Sequence, residues 1–172
     1  EIIQWVRSRV NYAVEWGRSI CVFKADLDKA FDTCEFVYMA ETLYTLSELE
    51  AETNALLRED LGSNTTYTWD GQTLAASIPN RRGAPQGKPS SPGRFRALTQ
   101  IAVIKAEQQW LSVFSDLGLD TTLDEHGTPC EIALWADDII VVADTIEKAI
   151  IMLECLHQAL RKVHLTIAFQ ST

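Results

Sequence analysis

Apolar residues first recur at helical spacing. Ile2, Ile3, Val6, Val10, Ala13 and Val14 predict a helix over residues 2–16, and Gly17 ends it. Ile20 to Ala25 is a short apolar run rich in strand formers, which predicts a buried strand running into Asp26-Leu27-Asp28. Helical patterning returns from about Lys29 to Leu46. A more polar helix follows from about Ser47 to Leu61 and stops at Gly62-Ser63-Asn64. Two alternating runs, Thr65–Trp69 and Thr73–Ile78, flank Asp70-Gly71, a strong hairpin turn. Residues 80–93 hold three Gly and three Pro and fit no regular element.

A long helix is expected from Pro92, with Ser91 as its N-cap and a buried stripe of Phe95, Leu98, Ala102, Ala106, Trp110, Val113 and Leu117. Gly118 closes it. Glu131 to Ala143 reads as two apolar strands flanking Asp137-Asp138. Asp144 and Glu147 form a plausible capping box for a helix whose stripe is Ile146, Ala149, Ile150, Leu153, Leu156 and Leu160. Leu165 to Phe169 is a final short strand. The core order predicts an α+β fold: a ferredoxin-like split β-α-β-β-α-β antiparallel sheet with helices on one face. Residues 47–80 would be a helical and hairpin insertion.

Composition narrows the function. Of 172 residues, 47% are apolar and 23% charged, an ordinary globular mix that argues against disorder. One domain with a small subdomain is the default for this length. No apolar run approaches the ~20 residues of a membrane span, and no signal-peptide pattern is visible. Glu1 stands where Met would open a complete chain, so a piece of a longer protein is expected. Cys21, Cys34, Cys130 and Cys155 form no CxxC pair, and His126, His157 and His164 show no zinc-ligand spacing. Reduced thiols in an intracellular protein are expected, with nucleus and cytoplasm not distinguished. The net charge of −9 is unlike that of a nucleic-acid binder, whose affinity comes largely from phosphate neutralisation. Either the chain binds no nucleic acid, or the basic surfaces lie elsewhere in a longer protein, or acidic residues hold metal ions beside a local basic groove.

The predicted topology makes the first core strand a neighbour of the central hairpin, so Asp26, Asp137 and Asp138 converge. Adjacent Asp residues are common in turns. Between apolar strands they are costly unless neutralised, and a hard divalent cation held by carboxylates would neutralise them. Two such ions about 3.5–4 Å apart suit phosphoryl transfer.

At these residues the chain resembles the reverse transcriptases. Val22-Phe23-Lys24-Ala25-Asp26-Leu27-Asp28-Lys29-Ala30-Phe31-Asp32 resembles their first catalytic block. Arg82-Gly83-Ala84-Pro85-Gln86-Gly87-Lys88-Pro89-Ser90-Ser91-Pro92 resembles their substrate loop, and Trp135-Ala136-Asp137-Asp138 their double-aspartate block. The wording is closest to retroelements without long terminal repeats and to group II intron enzymes. The resemblance implies a polymerase palm with part of the fingers: palm core at about 17–46 and 81–172, fingers-type insertion at about 47–80. It implies an RNA-directed DNA polymerase that adds deoxynucleotides to a primer 3′-hydroxyl on an RNA or DNA template, using two Mg²⁺, with Mn²⁺ as a substitute.

Asp26, Asp137 and Asp138 would be the catalytic, metal-holding set. Leu27, Phe31, Gln86, Gly87 and Arg82 would contact substrate, Phe31 as a gate against a ribose 2′-hydroxyl and Leu27 through its backbone N–H. Phe31 also reads as an ordinary core aromatic, and Arg82 as a solvated surface residue. Early finger strands and the thumb are missing from the resemblance, so this stretch alone is expected to extend a primer negligibly. Trp135 stands where the family usually has Tyr or Phe, Ala168 where it has Asn, Ser171 where it has Lys, and Lys88 at a position commonly small or acidic. These departures define the alternative, a catalytically decayed palm kept for structure or interaction. A palm-type cyclase or RNA-templated RNA polymerase is a further rival, against which the Pro85-Gln86-Gly87 loop and Phe31 argue.

Overall fold

The computed structural model describes residues 2–46, 54–55, 58, 65–69, 71, 74–79, 83, 91–122, 130–135 and 138–168. The elements are α1 (Ile2–Glu15), β1 (Cys21–Leu27), α2 (Ala30–Thr33), α3 (Phe36–Leu46), β2 (Thr65–Trp69), β3 (Leu74–Pro79), α4 (Ser91–Leu117), β4 (Glu131–Trp135), β5 (Asp138–Ala143), α5 (Ile146–Arg161) and β6 (Ile167–Ala168). The chain forms two compact units, residues 1–28 with 99–172, and residues 29–98.

The first unit carries a four-stranded antiparallel sheet in the order β4-β5-β1-β6. The β-branched run Ile139-Ile140-Val141-Val142 makes β5 a natural interior strand, paired on both sides. Directly opposed residues of an antiparallel pair share a face, and faces alternate along each strand. Phe23, Ala25, Ile139 and Val141 therefore lie on one face, and α5 packs against β5 and β1. Ile139, Val141, Met152, Leu156 and Leu160 are fully buried in this unit. Each such side chain contributes roughly 1.5–3 kcal/mol on transfer from water.

The other face carries Val22, Lys24 and Asp26 from β1, and Val142, Ile140 and Asp138 from β5. Glu131, opposite Val142, shares it, and Arg9 of α1 forms a 2.9 Å ion pair with Glu131. Thus α1 is tied to the face that bears Asp26, at the end away from that residue. This differs from an arrangement with every helix on one face. Val142 on that side is fully buried, so this face is covered at the end that carries Glu131.

The helix expected from Lys29 to Leu46 is two helices, interrupted at Cys34 and Glu35. The α5 helix is capped by Thr145, whose hydroxyl accepts from the Lys148 N–H at 3.3 Å. Asp144 is therefore not its cap; its Oδ2 accepts from the Lys148 ammonium at 2.9 Å. The α5 stripe also turns relative to expectation: Met152, Cys155 and Ala159 are buried, while Ile146 is 62% and Ile150 47% exposed. In α4 the buried stripe runs as expected through Trp110, then continues at Phe114 and leaves Leu117 exposed. The polar helix expected at 47–61 lies mostly outside the described residues.

In the second unit β2 and β3 form the expected hairpin, with a register irregularity between Thr68 and Trp69. No helix among the described residues is long and apolar enough to cross a membrane.

All four cysteines are free thiols, and three of them are buried. Burial pushes the Cys130 thiol up to about 11, against a countering pull from Lys148. Alkylation near pH 8 is therefore expected to spare Cys130 and to label half-buried Cys21 first, as peptide mass mapping would show. The folded state holds this proton longer than the unfolded chain does. The sign of linkage is then a loss of stability as pH rises from 9.0 toward about 11.

Candidate active site

β1 and β5 bring two acids together. Asp26 and Asp138 are direct cross-strand partners, with side chains on one face. Cβ atoms of such partners lie about 4.5–5.5 Å apart, and like charges directly opposed repel. The register extends this pair into one row across the sheet: Trp135, Asp138, Asp26 and Ala168. Trp135 is 55% exposed at one end of the row, and half-buried Ala168 stands at the other.

Local hydrogen bonding fixes the strand end. The Leu27 N–H donates to Asp26 Oδ1 at 3.0 Å, so this carboxylate is oriented by its own backbone. The Asp28 N–H donates to the Thr166 carbonyl at 2.9 Å, which holds the end of β1 against the segment entering β6. The Lys24 ammonium lies 2.8 Å from Asp138 Oδ1. Lys24 is two residues before Asp26 and faces the same way, so the two acids and one base form a compact charge group.

Asp137 and Ala136 lie outside the described residues, between Trp135 and Asp138, which pair directly. Among the described residues, no three His, Cys, Asp or Glu side chains gather into a metal-holding group. The two acids that are described fit a hard cation by donor chemistry. They offer carboxylate oxygens on one open face, beside a backbone N–H that already orients one of them.

Leu27 is buried, and its backbone N–H is engaged by Asp26. Phe31 belongs to the other unit. Its ring packs on fully buried Phe95, centroids 4.6 Å apart and planes tilted by 33°. Half-buried Phe31 is therefore a packed aromatic with a partly open side. Arg82, Gln86 and Gly87 lie outside the described residues, as do Lys88 and Ser171.

Of the glycine-rich loop, Gly83 is described. Its N–H donates to the Cys34 carbonyl at 2.8 Å, and its φ is +92°. A Cβ there would meet the carbonyls of Phe31 and Asp32 at 3.6 Å, ordinary contact distance, so strain from a side chain would come from the backbone angle alone. Sequence reading gave Gly83 no separate role. The structure ties Gly83 itself to the Cys34 carbonyl, beside the backbone of Phe31 and Asp32. Gly83→Ala is expected to destabilise by about 1–2 kcal/mol, measurable by urea denaturation.

A cavity of about 720 Å³ opens between β1, β6 and α5. Phe23, Ala25, Leu153, His157 and Ile167 line it, mainly from the helix-packed side of the sheet.

The antiparallel sheet thus lines up Asp26, near the end of β1, with Asp138, at the start of β5. The chain matches the family model described as reverse transcriptase (RNA-dependent DNA polymerase) over residues 3–170. It belongs to that family. Among curated proteins, none matches it significantly.

Proposed function

We propose that this chain is the palm, with part of the fingers, of an RNA-directed DNA polymerase from a retroelement without long terminal repeats or of group II intron type. The observation that carries the reading is the direct pairing of Asp26 with Asp138 on an open sheet face. The strand order β4-β5-β1-β6, with every pair antiparallel, supports a ferredoxin-like split β-α-β-β-α-β palm.

In this reading Asp26, Asp137 and Asp138 hold Mg²⁺, or Mn²⁺ in its place, and the Leu27 N–H keeps Asp26 aimed at the site. Bound divalent cations supply the charge that favours an ionised primer 3′-hydroxyl and a departing pyrophosphate. Phe31, braced by Phe95, limits the space at the sugar. Gln86 and Gly87 take the template–nucleotide pair, and Arg82 takes phosphate. The partners are a template with its primer, deoxynucleoside triphosphates, and the fingers and thumb of a longer polyprotein in an intracellular compartment.

The test is deoxynucleotide incorporation on an RNA template with a DNA primer, using the product of the complete reading frame that encodes this chain. Incorporation that requires template, primer and a divalent cation supports the proposal. Its absence, with the protein folded, overturns it. A second reading is favoured by Ala168 beside Asp26, where the family pattern has a polar Asn. This is a decayed palm, which would remain folded and show no incorporation.

A further inference from the structure

The charge group on the Asp-bearing face contains a residue that the proposed chemistry does not use. Lys24 sits one pleat along β1 from Asp26 and opposite Ile140, hence diagonal to Asp138. A long side chain reaches across such a diagonal, and here the ammonium ends 2.8 Å from Asp138 Oδ1. The contact is solvent-accessible: the Lys24 side chain is 61% exposed and that of Asp138 36%. An exposed ion pair on its own is worth little. This one is not on its own, because Asp138 also faces Asp26 directly across the strand pair. The sheet register holds the two Cβ atoms close and the side chains on one face, so a positive charge beside them offsets the repulsion expected of directly opposed like charges.

We propose that Lys24 is a built-in counter-ion that occupies Asp138 in the cation-free state and must yield it when a divalent cation binds. The inference rests on the reading of this face as a cation site. Its consequence has opposite signs in the two states. Without a cation, Lys24 stabilises the folded chain by offsetting the Asp26–Asp138 repulsion. With a cation bound, the ammonium and the ion compete for the same oxygens, and Lys24 weakens binding. Lys24 is thus a positioning residue: it acts through Asp138 and sets the cation concentration at which the site fills.

The experiment measures Mn²⁺ binding to the 172-residue chain by electron paramagnetic resonance, alongside melting temperatures with and without Mn²⁺. The proteins are wild type, Lys24→Met, Lys24→Arg and Asp138→Asn. Lys24→Met keeps the aliphatic stem and removes the charge. It should bind Mn²⁺ roughly 3–15-fold more tightly at low ionic strength, an advantage that shrinks as salt screens the site. Its cation-free melting temperature should fall below that of wild type, and the gap should close at saturating Mn²⁺. Lys24→Arg should stay within about 2-fold of wild type, because it keeps the charge that the argument depends on.

Equal Mn²⁺ affinity in wild type and Lys24→Met would overturn the counter-ion role while leaving the cation site standing, provided that Asp138→Asn weakens binding. Weaker binding by Lys24→Met would overturn it as well, since Lys24 would then be helping to build the site. Tighter binding by both Lys24→Met and Lys24→Arg would show that charge is not the cause. If no variant binds Mn²⁺ at tens of millimolar, the cation-site reading fails and the counter-ion role fails with it.

Discussion

Asp26→Asn is expected to lower template-directed deoxynucleotide incorporation on the order of 10³-fold or more, and Asp138→Asn to lower it less. The comparison belongs in the product of the complete reading frame, by single-turnover primer extension at saturating nucleotide. The ranking follows from geometry. Asp26 lies in the interior of the row, between Asp138 and Ala168, and its carboxylate is aimed by the Leu27 N–H at 3.0 Å. Asp138 is held by Lys24 at 2.8 Å in the cation-free state and must be freed before it can hold a cation, so less of its charge is preorganised for the reaction. Removing a preorganised charge that acts on the transition state has effects of this order in other enzymes. Asn keeps the shape and the backbone contact of Asp26, so the fold should survive, and circular dichroism checks that. Equal loss in the two variants would show that the acids act as one unit, and no loss in Asp26→Asn would sink the active-site assignment.

Asp144→Ala is expected to destabilise the fold by about 2–3 kcal/mol. This corresponds to a fall in melting temperature of about 5–10 °C for a chain of this size. The Lys148 side chain is only 6% exposed, whereas that of Asp144 is 26% exposed. Removing Asp144 strands a buried ammonium whose other partner among the described residues is the Thr122 carbonyl at 3.3 Å. The cost stands at the low end for a broken buried pair because Asp144 keeps some contact with water. The reverse substitution should be milder. Lys148→Met preserves the apolar stem and leaves Asp144 Oδ2 able to hydrate, though its Oδ1 is buried, so a loss of about 1–2 kcal/mol is expected. Thermal melts of the two variants decide the asymmetry, and equal losses would contradict it.

This ion pair also shows how far the sequence could be read. Asp144 and Glu147 have the spacing of a capping box, and helix geometry allows it. The cap is Thr145, one residue later, which frees Asp144 to meet Lys148 at i+4. Both Asp and Thr can cap a helix. A buried lysine needs a carboxylate, and that tertiary demand selected one. The α5 stripe was misread for a similar reason. Ala149, Leu156 and Leu160 are buried as expected, but Ile146 and Ile150 are exposed and the softer Met152, Cys155 and Ala159 turn toward the core instead. Periodicity identifies a helix and its approximate face. The space left above the sheet decides which neighbouring stripe is buried.

His164 is a further instance. It adopts φ +60° just after α5, a conformation in which Gly is usual. The turn is set by helix termination, with the Leu165 N–H donating to the Leu160 carbonyl, and the residue identity does not announce it.

The sequence by itself determined the order of elements, the strand that ends at Asp26, the hairpin that carries Asp137-Asp138, and the family to which those motifs belong. These depend on period, turn chemistry and motif spacing, all local properties of the chain. Only the tertiary structure decided that Asp26 faces Asp138 in register, that Lys24 reaches Asp138, that Gly83 is bonded to Cys34, and that α1 is tied to the Asp-bearing face. Each of these depends on which strands become neighbours and on a register in which a shift of one residue would turn every side chain to the opposite face.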